Sequence, residues 1–83
     1  MLKILYFASL RETLGLGSET IELPVAVGDV ASLLAHLATR GGEWQKLAGV
    51  KNLKCAVNQD MARFEAAIKD GDEVAFFPPV TGG

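Results

Sequence analysis

The side chains of this chain with the widest chemical repertoire are one histidine, His36, and one cysteine, Cys55. A thiol nucleophile needs a depressed pKa and a basic neighbour, and a four-coordinate zinc site needs more soft ligands than these two can supply. A single cysteine also excludes an intrachain disulfide, so the expected setting is cytosolic and reduced. On a helical projection His36 stands about 110° from the centre of an apolar stripe, at the solvent boundary. Cys55 shares a strand face with Leu53 and Val57, where a cysteine behaves as a small hydrophobe. Gly15-Leu16-Gly17 lacks the third glycine and the strand-turn-helix setting of a dinucleotide fingerprint, and Asp70-Gly71-Asp72 lacks the further ligands of a calcium loop. Trp44 reads as a lid on the end of the core, not as a stacking platform.

What remains is the C-terminus, Phe76-Phe77-Pro78-Pro79-Val80-Thr81-Gly82-Gly83. Two prolines stop the preceding strand and remove two backbone donors. Residues 78–83 are therefore predicted to leave the domain as an extended arm reaching roughly 19 Å, at about 3.1 Å per residue. The arm carries no charged side chain. Its one charge is the terminal carboxylate, borne by two residues that can enter a slot too narrow for any other type. With glycine near 7% of average usage, a chance Gly-Gly ending has a probability of about 0.5%, which argues against a meaningless frayed tail.

Such an arm needs a rigid body to aim it. Residues 2–8 form an apolar run rich in strand-favouring types, and residues 19–23 alternate polar and apolar before Pro24; these two strands make a hairpin around a turn at 9–17 with one short helical turn near 10–13. Val30, Leu33, Leu34 and Leu37 stand at helical spacing, with Asp29 as N-cap and Gly41-Gly42 as the left-handed stop after Arg40. Residues 53–58 alternate again, a short edge strand follows around Met61 and Ala62, and residues 73–77 form the last strand after the Asp70-Gly71-Asp72 turn. The order β-β-α-β-(β)-β with one main helix predicts an α+β roll of the β-grasp type, its first and last strands parallel in the middle of a mixed sheet. The domain spans residues 1–77 and the tail 78–83.

Eighty-three residues allow one domain, and Leu, Val, Phe and Ile make up 25 of them, enough for a core. Eight basic against ten acidic residues give a net charge of −2, which excludes an electrostatic footprint for nucleic acid or anionic lipid. The apolar N-terminus is interrupted by Lys3 and closed by Arg11 and Glu12, which suits a buried strand better than a signal peptide, and no stretch is long enough to span a bilayer. Lys3 and Glu73 mark the sheet face turned away from the helix. On that face Leu5, Phe7 and Phe77 are predicted to form an uncovered apolar patch at the root of the tail, the kind of surface that marks a partner interface.

The tail from Asp70 to Gly83, with Phe7-Ala8-Ser9-Leu10-Arg11-Glu12 and Val57-Asn58-Gln59, resembles the small-subunit family of molybdopterin synthase, ubiquitin-like β-grasp sulfur carriers. The Phe-Phe-Pro-Pro-Val-x-Gly-Gly ending is the most specific part. The resemblance implies that the carboxylate of Gly83, approached through Gly82, is adenylated at the expense of ATP by an activating enzyme related to the ubiquitin activators. A persulfide donor then converts it to a thiocarboxylate. It also implies that Pro78, Pro79, Val80 and Thr81 enter the large subunit, that Phe7, Met61 and Phe77 dock against it, and that the small subunit binds no cofactor of its own. Sulfur then passes to a cyclic pterin precursor to build a dithiolene, with the acids and bases on the large subunit. Rival readings are a sulfur carrier of thiamine thiazole synthesis, a ubiquitin-like protein modifier and a plain interaction module.

Overall fold

A computed structural model of the chain describes residues 1–79. Its first strand, β1 (Leu2–Tyr6), stops two residues short of the expected end because Ala8 takes a left-handed φ of 53° and turns the chain into α1 (Ser9–Leu14). The helical turn expected near 10–13 is thus a six-residue helix, closed by Gly15 in the left-handed conformation. β2 (Ser18–Ile21) then pairs antiparallel with β1, Leu2 opposite Ile21 and Leu5 opposite Ser18.

The main helix, α2 (Val30–Ala38), begins where Asp29 predicted it. The Asp29 carboxylate accepts from the Ser32 amide at 2.8 Å, and the Ser32 hydroxyl accepts from the Asp29 amide at 3.1 Å, a reciprocal cap with serine in place of the usual Glu. Of the predicted stripe, Val30, Leu33 and Leu37 are fully buried and Leu34 is half-buried at the core margin. Gly41 and Gly42 take positive φ as the stop requires. Directly after them comes α3 (Glu43–Ala48), a second six-residue helix that the one-helix expectation lacked. Trp44 belongs to it and meets Tyr6 edge-on at 5.4 Å, so its role as a lid on the core holds although its setting is helical.

β3 (Lys54–Val57), β4 (Asp60–Ala62) and β5 (Glu73–Phe77) complete a five-stranded sheet in the order β2-β1-β5-β3-β4. β1 and β5 run parallel at its centre, Ile4 beside Val74 and Tyr6 beside Phe76, and the other pairs are antiparallel. The core lies between the sheet and α2, built on Leu2, Ile4, Tyr6, Leu33, Val74 and Phe76. This is the predicted β-grasp. Pro78 and Pro79 follow β5; Val80, Thr81, Gly82 and Gly83, to which the tail chemistry was assigned, lie outside the described residues. Among the described residues no helix is long and apolar enough to cross a membrane, and no three His, Cys, Asp or Glu side chains gather as metal ligands.

Candidate functional site

Alternation along five strands turns every second side chain away from α2, and the cross-strand register sorts those side chains into rows. The row farthest from the tail is charged, with Lys3 and Glu73 as neighbours at 4.0 Å. The next runs Leu5, Ala75, Ala56, Met61 across four strands. The row at the tail end runs Phe7, Phe77, Lys54, since Phe77 lies opposite Lys54 and the Phe7 ring meets the Phe77 ring edge-on at 6.5 Å. Among the described residues no helix covers this face, yet Ala56 and Ala75 are only 7% and 8% exposed. Larger side chains shield them. The two alanines form the floor of a shallow apolar dish whose rim includes Phe7, 46% exposed, and Met61, 66% exposed.

Local structure fixes that rim. The Phe7 amide donates to the Phe76 carbonyl at 3.1 Å, and the reversal at Ala8 follows at once, so Phe7 ends the central strand with its ring beside Phe77. Met61 is aimed by the β3–β4 turn, where Asn58 and Gln59 take φ of 50° and 71° in succession, the twist that suits a two-residue hairpin. Asn58 also ties that hairpin to β5. Its amide donates to the Glu73 carbonyl at 2.7 Å, and its side-chain oxygen accepts from the Glu73 amide at 3.0 Å. Its side-chain nitrogen donates to the Asp72 carboxylate at 3.1 Å. The Asn58 amide group, with the Lys69 backbone amide, holds the Asp72 carboxyl below its ordinary range. The sequence places Asn58 at the end of the alternating stretch 53–58; its tie to β5 was hidden because those partners lie fourteen and fifteen positions away.

Behind the sheet a polar cluster fastens α3 to the body. Arg40 donates to both oxygens of Glu19 at 2.8 Å, Tyr6 donates to one of them at 2.7 Å, and the guanidinium lies 4.4 Å from the Trp44 ring centre. The Arg40 hydrogen bonds keep the Glu19 carboxyl low, while burial pushes the Tyr6 hydroxyl far above its usual range. Pro78 helps line a cleft of about 210 Å³ between α1 and α3, together with Leu10, Leu14 and Leu47. A larger cleft of about 440 Å³ lies by α2 and Phe64, with Asn52 its main polar side chain. The Cys55 thiol donates to the Ala62 carbonyl at 3.3 Å, and burial raises its pKa, the opposite of what a nucleophile needs. His36 is exposed. The structure thus brings Phe7, Phe77, Met61 and Leu5 onto one face at the root of the tail, with Pro78 and Pro79 leading away from it.

The sequence pattern of the ThiS family matches residues 4–83. The chain belongs to that family. Among curated relatives, the molybdopterin synthase sulfur carrier subunit of Haemophilus influenzae is 41% identical over 83 residues, the whole of both chains. A solution structure of a small archaeal modifier protein from Methanosarcina acetivorans superposes with a TM-score of 0.74 at 27% identity, over 99% of this chain and 95% of that one. The complex of subunits 1 and 2 of a molybdopterin-converting factor from Helicobacter pylori contains a chain that superposes at 0.66 with 24% identity, covering 99% and 97%. At that identity the likeness establishes the β-grasp alone.

Proposed function

We propose that this chain is the sulfur carrier subunit of a molybdopterin synthase. The observation that carries this reading is the 41% identity, end to end, with a relative of that name. A carboxylate is a poor acyl donor. In the proposed cycle an adenylating enzyme of the ubiquitin-activator type transfers AMP from ATP to the Gly83 carboxylate and releases pyrophosphate. A persulfide sulfur attacks the acyl carbon and expels AMP, and a second thiol of the donor system cleaves the resulting acyl disulfide to leave the thiocarboxylate. That group is soft and largely ionised near neutral pH, so it attacks the pterin precursor without a base from its own chain. The raised pKa of Cys55 is compatible with a protein that lends only its terminus.

In the assembled enzyme the apolar dish docks against the large subunit, with Phe7, Met61 and Phe77 as contacts. Pro78, Pro79, Val80 and Thr81 thread the tail, and Gly82 passes the narrowest point. The setting we assign is the cytosol. The test is intact mass after incubation with ATP, the activating enzyme and a persulfide donor. Exchange of one oxygen for one sulfur is the expected gain. Deleting Gly82 and Gly83 withdraws the reactive end by roughly 6 Å, at about 3.1 Å per residue. It should abolish both the gain and conversion of the precursor, with the melt unchanged. A doubly deleted chain that still supports conversion refutes the carrier assignment.

A further inference from the structure

The outer face carries a charge asymmetry that the apolar dish does not explain. At the end remote from the tail its two charges are paired, Lys3 with Glu73. At the tail end Lys54 lies opposite Phe77, with its side chain on the same face. The β3–β4 register places Cys55 opposite Ala62 and Ala56 opposite Met61. Continued one step past the end of β4, that register would set Arg63 beside Lys54, on the face Met61 occupies. Both cations are exposed. Among the described residues the ion pairs are Met1 with Asp70, Lys3 with Glu73, Arg40 with Glu19 and Lys46 with Glu43, so neither Lys54 nor Arg63 takes part in one. Two unpaired like charges thus stand side by side in a chain whose net charge is −2. Adjacent like charges across a strand pair destabilise a fold slightly, and among the described residues no ion pair offsets these two.

We propose that Lys54 and Arg63 form a cationic rim that reads carboxylates on the partner surface, beside the apolar contact and at the mouth of the channel that takes the tail. The occupant is a protein whose docking surface is apolar at its centre and acidic at the edge facing these two residues. The inference rests on the carrier reading, since it assigns the chemistry of the large subunit's matching surface. The two parts of the face then divide the work. Desolvated aromatic contacts set how long the complex lives, and rim charges set how fast it forms and which partner is accepted.

The test measures association of the full chain with its large subunit by stopped flow from low to high ionic strength. It compares the parent with Lys54→Gln/Arg63→Gln and with Lys54→Glu/Arg63→Glu. The parent's association rate should fall steeply with salt. The neutral pair should associate about tenfold more slowly at low salt, with a shallower salt slope, and the reversed pair more slowly still. Dissociation rates and thermal midpoints should change little, because both side chains are exposed. Restoration by Lys54→Arg/Arg63→Lys would separate charge from shape. If the parent binds but the neutral pair associates as fast, or faster, the cationic rim is refuted and the carrier reading stands. If the parent neither binds the large subunit nor gains sulfur, the carrier reading itself falls.

Discussion

Phe77 occupies two boundaries at once, the last position of the central strand pair and the last before the prolines. Its ring contributes edge-on contact with Phe7 and closes the dish over Ala75, but the core lies on the other side of the sheet. Phe77→Arg is therefore expected to cost the fold only about 1 kcal/mol, the scale of one aromatic pair. Docking to the large subunit should weaken by at least about 2 kcal/mol, as for a central aromatic anchor. Calorimetry that finds unaltered affinity would show that the dish is not the interface. This patch was legible in the sequence because Lys3 and Glu73 each label one side of a strand, and alternation carries the label to Phe7 and Phe77. The floor was harder to see. Alanine at 56 or 75 is an unremarkable strand residue until the register sets one beside the other and puts Leu5 and Met61 at their flanks.

Among the elements, α2 announces itself through a cap and a periodic stripe, and the sheet depends on it. Leu33 is completely buried against the strands. Leu33→Asp would place an unpaired carboxylate there, in a domain whose total stability is only about 5 kcal/mol or slightly more, and most molecules should be unfolded at room temperature. A cooperative melt close to that of the parent would mean that the helix presents another face. α3 gave no such signal. Six residues offer too few turns for a period, and only Trp44 and Leu47 among them pack inward. What holds α3 is long-range: Arg40 spans from Glu19 to the Trp44 ring, twenty-one residues separating the two charged partners. Helices fixed by contacts of that kind are invisible to local pattern reading.

At the scale of the whole molecule, pH should limit stability from both sides. Glu19, Asp29 and Asp72 have carboxyls held below their ordinary values by Arg40, Ser32 and Asn58 respectively. A carboxyl whose folded pKa is depressed stabilises the fold above its unfolded pKa, and that contribution is lost as pH falls through the folded value. Tyr6 is shifted upward from 10.0 by burial and by Glu19. Its contribution is complete below its unfolded pKa and is lost as pH rises beyond it. Thermal midpoints should therefore stay level from about pH 5 to about pH 9 and fall on either side. Glu19→Gln should lower the plateau and flatten the acid limb, and Tyr6→Phe should flatten the alkaline one. Identical profiles for parent and Glu19→Gln would show that Glu19 is not held as an ion pair.

The parallel seam between β1 and β5 joins the first and the last of the described strands. Without β5 the remaining strands are two separate antiparallel pairs, β1 with β2 and β3 with β4, and the sheet is missing its middle, not an edge. Such pieces are too small to be stable alone. A chain cut ahead of Glu73 therefore loses the terminus proposed to carry sulfur and the keystone of its fold in the same event. The topology acts as proofreading. A copy cut ahead of β5 does not stay folded long enough to occupy the partner unproductively, whereas one that lacks only Gly82 and Gly83 keeps its sheet.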